Sequence, residues 1–250
     1  WPAGASPMST AYHIGTSGWH YPHWSGPFYP PGLGAHQWLA YYAAHLAAVE
    51  INNSFYRLPE IHTLRAWVGQ TPAQFVFAVK ASRYITHMKK LKDPARSLEA
   101  FLCVLDALGE KCGPALFQLP PRWRCNPARL EEFLRALPVG RTYAFELRDP
   151  SWHNQEVYQL LRSHNAGFCV YELAGFRSPI TITADFAYVR LHGPATAYSG
   201  SYSRQALRKW AQRLLAWTHL RAVYVYFDND ESAYAARNAM LLQTLLRGHR

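Results

Sequence analysis

Six short stretches of the chain alternate apolar residues with polar or charged ones. In Val49-Glu50-Ile51-Asn52, Phe77-Ala78-Val79-Lys80 and Phe117-Gln118-Leu119 the polar members are Glu50, Asn52, Lys80 and Gln118. In Phe145-Glu146-Leu147-Arg148, Val189-Arg190-Leu191-His192 and Val225-Tyr226-Phe227-Asp228-Asn229 they are Glu146, Arg148, Arg190, His192, Asp228 and Asn229. Carboxylates and imidazoles exchange protons, so Glu50, Glu146, His192 and Asp228 are the candidate catalytic acids and bases. Lys80, Arg148 and Arg190 suit a phosphate or carboxylate, which a guanidinium grips through two parallel hydrogen bonds. Asn52, Gln118 and Asn229 are placed to orient such a ligand.

The spacing of two says what must hold these groups. Side chains of a β-strand point to opposite faces in turn, so each apolar pair faces one way and the polar residue between faces the other. Strand-like runs are predicted at 13–18, 48–55, 75–81, 115–119, 142–148, 168–172, 187–192 and 222–228. Helical spacing is predicted at 36–47, 61–69, 94–108, 127–137, 154–163, 204–218 and 231–246, with Pro94, Pro127, Asn154 and Ser203 as helix-start signals. Strands separated by helical crossovers pair in parallel, and eight of them close most simply into an α/β (β/α)8 barrel of the TIM type. Only the sixth connection, 173–185, lacks helical character, so one helix is expected to be irregular or missing there. The polar residues, Glu50 apart, fall in the second half of their strands, the end at which this fold builds active sites.

Barrel interiors are ordinarily apolar, and a buried unpaired charge is costly. Two readings of the polar axis stand side by side. Glu50, Glu146 and Asp228 balance Lys80, Arg148 and Arg190, so they form either a self-neutralising structural network or the lining of a pocket. A metal held by Glu50, Glu146, His192 and Asp228 is geometrically conceivable, but the spacing establishes none.

The loops expected on the same face add a basic, aromatic rim. It comprises Arg83, His87, Lys89, Lys90 and Lys92 after the third strand, Arg122 and Arg124 after the fourth, and Tyr198, Tyr202 and Arg204 after the seventh. Trp19, Trp24, Phe28, Tyr29, Trp123 and Trp152 are interleaved with it. Cations meet phosphates and exposed rings stack on bases, so this rim also fits a nucleic acid. Trp19 and Trp24 fit packing more readily than contact with a ligand, and the lysine run fits a solvated loop equally well.

Composition sets the outer bounds. The 250 residues carry 26 Lys+Arg against 16 Asp+Glu, a net charge of +10, and are 49% hydrophobic with 17% charged, which excludes a disordered chain and is enough for one well-filled globular domain over 8–250. No apolar run approaches the roughly 20 residues that cross a bilayer, so no membrane partner is expected. Residues 1–7, ahead of Met8, read as added or disordered residues outside the fold. The four cysteines lack CxxC spacing and read as reduced thiols of a cytoplasmic protein. No GxGxxG, P-loop, HExxH or nucleophile-elbow pattern occurs, so no cofactor is predicted.

The motifs Gly15-Thr16-Ser17-Gly18-Trp19, Val49-Glu50-Ile51-Asn52, Phe55-Tyr56, Phe77-Ala78-Val79-Lys80-Ala81, Thr86-His87 and Gln118-Leu119-Pro120 occur in that order. Glu146-Leu147-Arg148-Asp149-Pro150-Ser151-Trp152, Arg190-Leu191-His192-Gly193 and Tyr226-Phe227 through Asn238-Ala239 follow. Together, from about Tyr12 to Leu246, they resemble the DUF72, or YecE-like, family of uncharacterised TIM-barrel proteins. The resemblance implies the same barrel and names no activity. One departure is visible: Asp228-Asn229 stands where the family usually has an Asn-Asn pair, which adds a negative charge inside. The expected function is an enzyme or binding protein for a small phosphorylated or carboxylated ligand at the C-terminal face, with hydrolase- or isomerase-type acid–base chemistry. In that reading Glu146 or Glu50 is the base and His192 the acid. The alternative is a non-catalytic nucleic-acid-binding module that uses the rim.

Overall fold

The computed structural model describes residues 10–248; the stretch 1–7 set aside above lies outside them. Nine strands are present among the described residues: β1 (Ala11–Ser17), β2 (Ala48–Ile51), β3 (Val76–Lys80), β4 (Cys112–Leu119), β5 (Tyr143–Leu147), β6 (Gly167–Leu173), β7 (Phe176–Arg177), β8 (Phe186–Leu191) and β9 (Ala222–Phe227). Seven helices lie between and after them: α1 (Trp38–His45), α2 (Ile61–Gly69), α3 (Pro94–Leu108), α4 (Pro127–Ala136), α5 (Gln155–Ser163), α6 (Arg204–Leu215) and α7 (Tyr234–Arg247). Eight strands pair in parallel in the order β5-β4-β3-β2-β1-β9-β8-β6, and the β5–β6 pairing closes the ring. The fold is therefore an α/β TIM-type barrel. Between β6 and β8 the helix is replaced by the two-residue strand β7, which pairs antiparallel with β6.

Local chemistry explains the helix starts. Asn126, Asn154 and Ser203 each accept a hydrogen bond from a backbone N–H in the first turn of α4, α5 and α6. Pro94 and Pro127 occupy the first helical position, where no N–H is missed. One strand ends earlier than the expected range 48–55. Residues Asn53–Phe55, read as the end of the second strand, form a 3-10 turn, and Ser54 Oγ holds that turn by donating to the Ile51 carbonyl at 3.0 Å and to the Lys80 carbonyl at 2.6 Å.

The period-two pattern divides the buried residues into two separate clusters. Val49, Ile51, Phe77, Val79, Phe117, Leu119, Phe145, Leu147, Val189, Leu191, Val225 and Phe227 pack outward against the helices. The axis holds a smaller set, in which Ala48, Ala78 and Ala144 make room for Tyr188, Tyr224 and Tyr226. Above this layer, toward the C-terminal ends of the strands, the charged residues begin. Gly15 faces the same axis, in register with Ala48 and Tyr226, and a Cβ there would meet the Ala48 carbonyl oxygen at 1.9 Å.

Candidate functional site

Arg190 organises the upper axis. Its fully buried side chain donates from Nη1 to Glu146 Oε2 at 2.8 Å, and from Nη2 to Glu50 Oε1 at 2.7 Å and Ser17 Oγ at 2.9 Å. One guanidinium thus joins carboxylates from β2 and β5. Glu50 is bonded further by Ser17 Oγ, and Tyr188 OH donates to its other oxygen at 2.6 Å. Glu146 is also paired with Arg148 Nε, and the Arg148 guanidinium lies 5.2 Å from the Tyr171 ring centroid.

His192, just beyond β8, completes the network. Its Nδ1 lies 2.9 Å from Asp228 Oδ2. Its Nε2 has Arg148 Nη2 and Arg190 Nη1 each at 3.4 Å and Glu146 Oε1 at 3.5 Å. Carboxylate oxygens therefore flank both ring nitrogens, Asp228 at Nδ1 and Glu146 at Nε2, with the two guanidinium groups alongside. Burial pushes the Glu146 and Asp228 carboxyls up, but their partners outweigh it. Arg148, Arg190 and His192 hold Glu146 well below the usual carboxylate range, and the His192 hydrogen bond followed by Arg190 holds Asp228 low. Both are ionised at neutral pH and are weak proton acceptors there.

Lys80, at the end of β3, differs from its neighbours. Burial, then the Arg190 charge, lowers its ammonium to about 8 against the upward pull of Glu50, Glu146 and Asp228. Nζ lies 4.4 Å from the Phe55 ring centroid, and no residue among those described gives it a hydrogen bond or ion pair. Phe55 is itself edge-on to His87 at 5.0 Å. Burial, then Lys80, Arg83 and Arg148, pushes the His87 imidazole down, so its neutral form is favoured. His87 belongs to a π-helical turn, Tyr84–Met88, a rare geometry that recurs at functional sites.

Glu50, Glu146, Arg190 and His192 are sealed from solvent, whereas Lys80 and Asp228 are 8% and 7% exposed and Arg148 reaches the same mouth. Gln118, in register with Glu146 on the neighbouring strand, is half-buried. Two of the orienting amides turn elsewhere. Asn52 lines a cavity of about 670 Å³ beside the axis, with Trp19, Tyr21, Leu39 and Trp67. Asn229 is buried and donates to the Gly200 carbonyl at 2.7 Å and to Asn238 Oδ1 at 2.9 Å, which ties down the loop after β8.

The aromatic rim is largely interior. Trp152 is fully buried and donates its indole N–H to the Trp123 carbonyl at 2.6 Å, with Trp123 half-buried edge-on to it. Trp19 packs edge-on to Trp67, and the buried Tyr202 hydroxyl accepts from Gly193 N at 3.1 Å. Arg83, Lys90, Lys92, Arg122 and Arg124 are exposed, while Lys89 pairs with Asp93 at 3.4 Å. Sequence reasoning gave neither Tyr188 nor Ser17 a place in the site: Tyr188 reaches Glu50 from β8, across β9 and β1, and Ser17 is the register partner of Glu50 on the adjacent β1. The axial positions of both, in phase with Arg190 and Gly15, were the available signal.

These features define a parallel (β/α)8 barrel whose C-terminal mouth stands on a buried ion network. A family model described as a protein of unknown function, DUF72, matches residues 13–250, and the chain belongs to that family. It is 27% identical over 268 residues to the UPF0759 protein YunF of Bacillus subtilis (strain 168), with 94% of each chain covered. Its fold is similar to the crystal structure of a DUF72 family protein from Thermotoga maritima MSB8, at 29% identity and a TM-score of 0.85, over 95% of this chain and 99% of that one. A DUF72 family protein from Enterococcus faecalis V583 shares the fold at 19% identity and a TM-score of 0.76, over 96% of this chain and 99% of that one. No described helix is long and apolar enough to cross a membrane.

Proposed function

We propose that the C-terminal mouth binds a small carboxylated or phosphorylated molecule and exchanges protons with it, as an enzyme of isomerase or hydrolase type. One observation carries this reading: the carboxylates of the axis are engaged with Arg190, Arg148 and His192, and the Lys80 ammonium at the mouth is left without an anionic partner among the described residues. An anion arriving there meets Lys80 and Arg148 and need not displace a buried pair. Proton exchange falls to Lys80, because a group working near neutral pH is best tuned close to it. Glu50 and Glu146 then serve as positioning residues beneath the mouth in place of the base role, and His192 with Asp228 fixes the guanidinium groups. The burial of Trp19, Trp152 and Tyr202 favours a small ligand over a nucleic acid, which needs open stacking faces.

Calorimetric titration with orthophosphate and with malonate at low ionic strength and pH 7 tests the reading. Saturable one-to-one binding, weakened at least about tenfold by Lys80→Met, is expected for loss of a desolvated charge contact. Absence of saturable binding with both anions, or equal affinity in the variant, contradicts it.

A further inference from the structure

Lys80 is a primary amine on a fixed mount. Its carbonyl accepts from Ser54 Oγ at 2.6 Å, and the next residue, Ala81, donates its N–H to the Leu116 carbonyl at 2.8 Å, so the chain is held from both neighbouring strands' ends. The side chain lies against Phe55 and is almost wholly withdrawn from water. Facing it are Arg190 from β8, Glu50 from β2, Glu146 from β5 and Asp228 beyond β9, with His87 and its neighbour Arg83 on the turn after β3. Each of those carboxylates already has a closer cation or imidazole partner. An amine that is desolvated, uncommitted to a carboxylate and near other cations is placed to act as a nucleophile.

We infer that Lys80 captures the carbonyl carbon of a carboxylated or phosphorylated aldehyde, ketone or oxo acid as a Schiff base; this rests on the anion-binding reading above and narrows its substrate class. The neutral Nζ adds its electron pair to the carbonyl carbon, and the carbonyl oxygen takes up a proton. The carbinolamine then loses that oxygen as water. One N=C bond replaces one C=O bond, both Nζ protons end on the water, and nothing is oxidised or reduced. A proton from solvent on the imine gives an iminium cation, which the ionised Glu146 and Asp228 stabilise without any reorganisation. Arg148 holds the ligand's anionic group. A lysine kept only for its charge would be better placed fully hydrated or paired, since burying an unpaired cation is costly.

Reductive trapping in the wild-type protein tests the inference. The protein is incubated with glyoxylate or pyruvate and cyanoborohydride near pH 7.5, with propanal as an uncharged control, and adducts are mapped by peptide mass spectrometry. Glyoxylate is expected to modify Lys80 at least about tenfold faster than Lys89, Lys90, Lys92, Lys111 or Lys209, because far more of its amine is neutral at that pH. Malonate is expected to slow that modification. Adducts spread over the other lysines with Lys80 no faster overturn the inference. Malonate binding without a Lys80 adduct overturns the Schiff base alone, whereas loss of both overturns the anion reading as well. A Lys80 adduct formed equally by propanal and indifferent to malonate overturns the acid-bearing substrate class.

Discussion

Arg190 and Glu50 meet at 2.7 Å on the axis of the barrel, although the strands that carry them are separated in the sheet by β9 and β1. The same guanidinium reaches Glu146 on the other side at 2.8 Å. Three strands that do not pair with one another are therefore cross-linked through a single buried cation. The arrangement both holds the barrel at its upper end and keeps the carboxylates from competing for the Lys80 ammonium.

Removing that cation leaves carboxylates buried without partners. Arg190→Met is expected to lower stability at pH 7 by about 3–5 kcal/mol, the range for breaking a buried pair. In the wild type, Glu146 and Asp228 have folded values below their unfolded ones, so their contribution is present above the ordinary carboxylate range and is lost as pH falls through the lowered values, below roughly pH 4. The variant lacks the Arg190 share of that contribution, so its deficit is expected to shrink on acidification. Urea unfolding at pH 7 and at about pH 3 checks both; a deficit under about 1 kcal/mol at pH 7 contradicts the network's role.

Lys80 carries the opposite sign. Its folded value of about 8 lies below that of an exposed lysine, so the unfolded chain holds more protons between about 8 and the ordinary value near 10.4. Stability contributed by this group therefore rises with pH across that window, as the cost of the buried charge is relieved. Lys80→Met is expected to raise stability at pH 7 by about 1–3 kcal/mol while abolishing anion binding. Wild-type anion affinity is expected to fall as pH rises through about 8. A destabilised variant, or affinity flat from pH 7 to pH 9, speaks against this account of Lys80.

Asp228→Asn restores the residue that the family resemblance leads one to expect and raises the charge of the axial cluster by one. Asp228 Oδ2 contacts His192 at 2.9 Å and Arg190 at 3.5 Å, and an asparagine amide oxygen keeps the first contact. Malonate affinity is expected to rise several-fold, on the order of 1 kcal/mol for one charge at short range in a partly wet site. Unchanged or weaker binding by titration calorimetry contradicts the electrostatic part of the account.

The barrel was legible in the sequence because period-two alternation and cap residues act locally. Val49, Ile51, Phe77 and Val79 face the helices, and the residues between them face the axis, as spacing alone requires. The end of the second strand was not legible: the strand-like run was extended through Asn52, Asn53 and Ser54 to Phe55, but Ser54 bonds the Lys80 carbonyl from another strand and folds the segment into a turn. Nor was the burial of Trp152, which depends on Trp123 from another connection, or of Tyr202, whose hydroxyl turns back onto the Gly193 backbone of its own loop. The polar axis announced its members but not their pairing. Which carboxylate takes Arg190, and which lysine is left without one, is decided by strand order around the ring.

The central claim is that Lys80 and Arg148 form the anion contact at the mouth. A crystal structure of the protein equilibrated with malonate and, separately, with orthophosphate tests it most directly. The account predicts the anion within hydrogen-bond distance of Lys80 Nζ and the Arg148 guanidinium, with the pairing of Arg190 to Glu50 and Glu146 intact. A mouth empty at saturating anion, or an anion bound only to the exposed Arg83, Lys90, Lys92, Arg122 or Arg124, would contradict it.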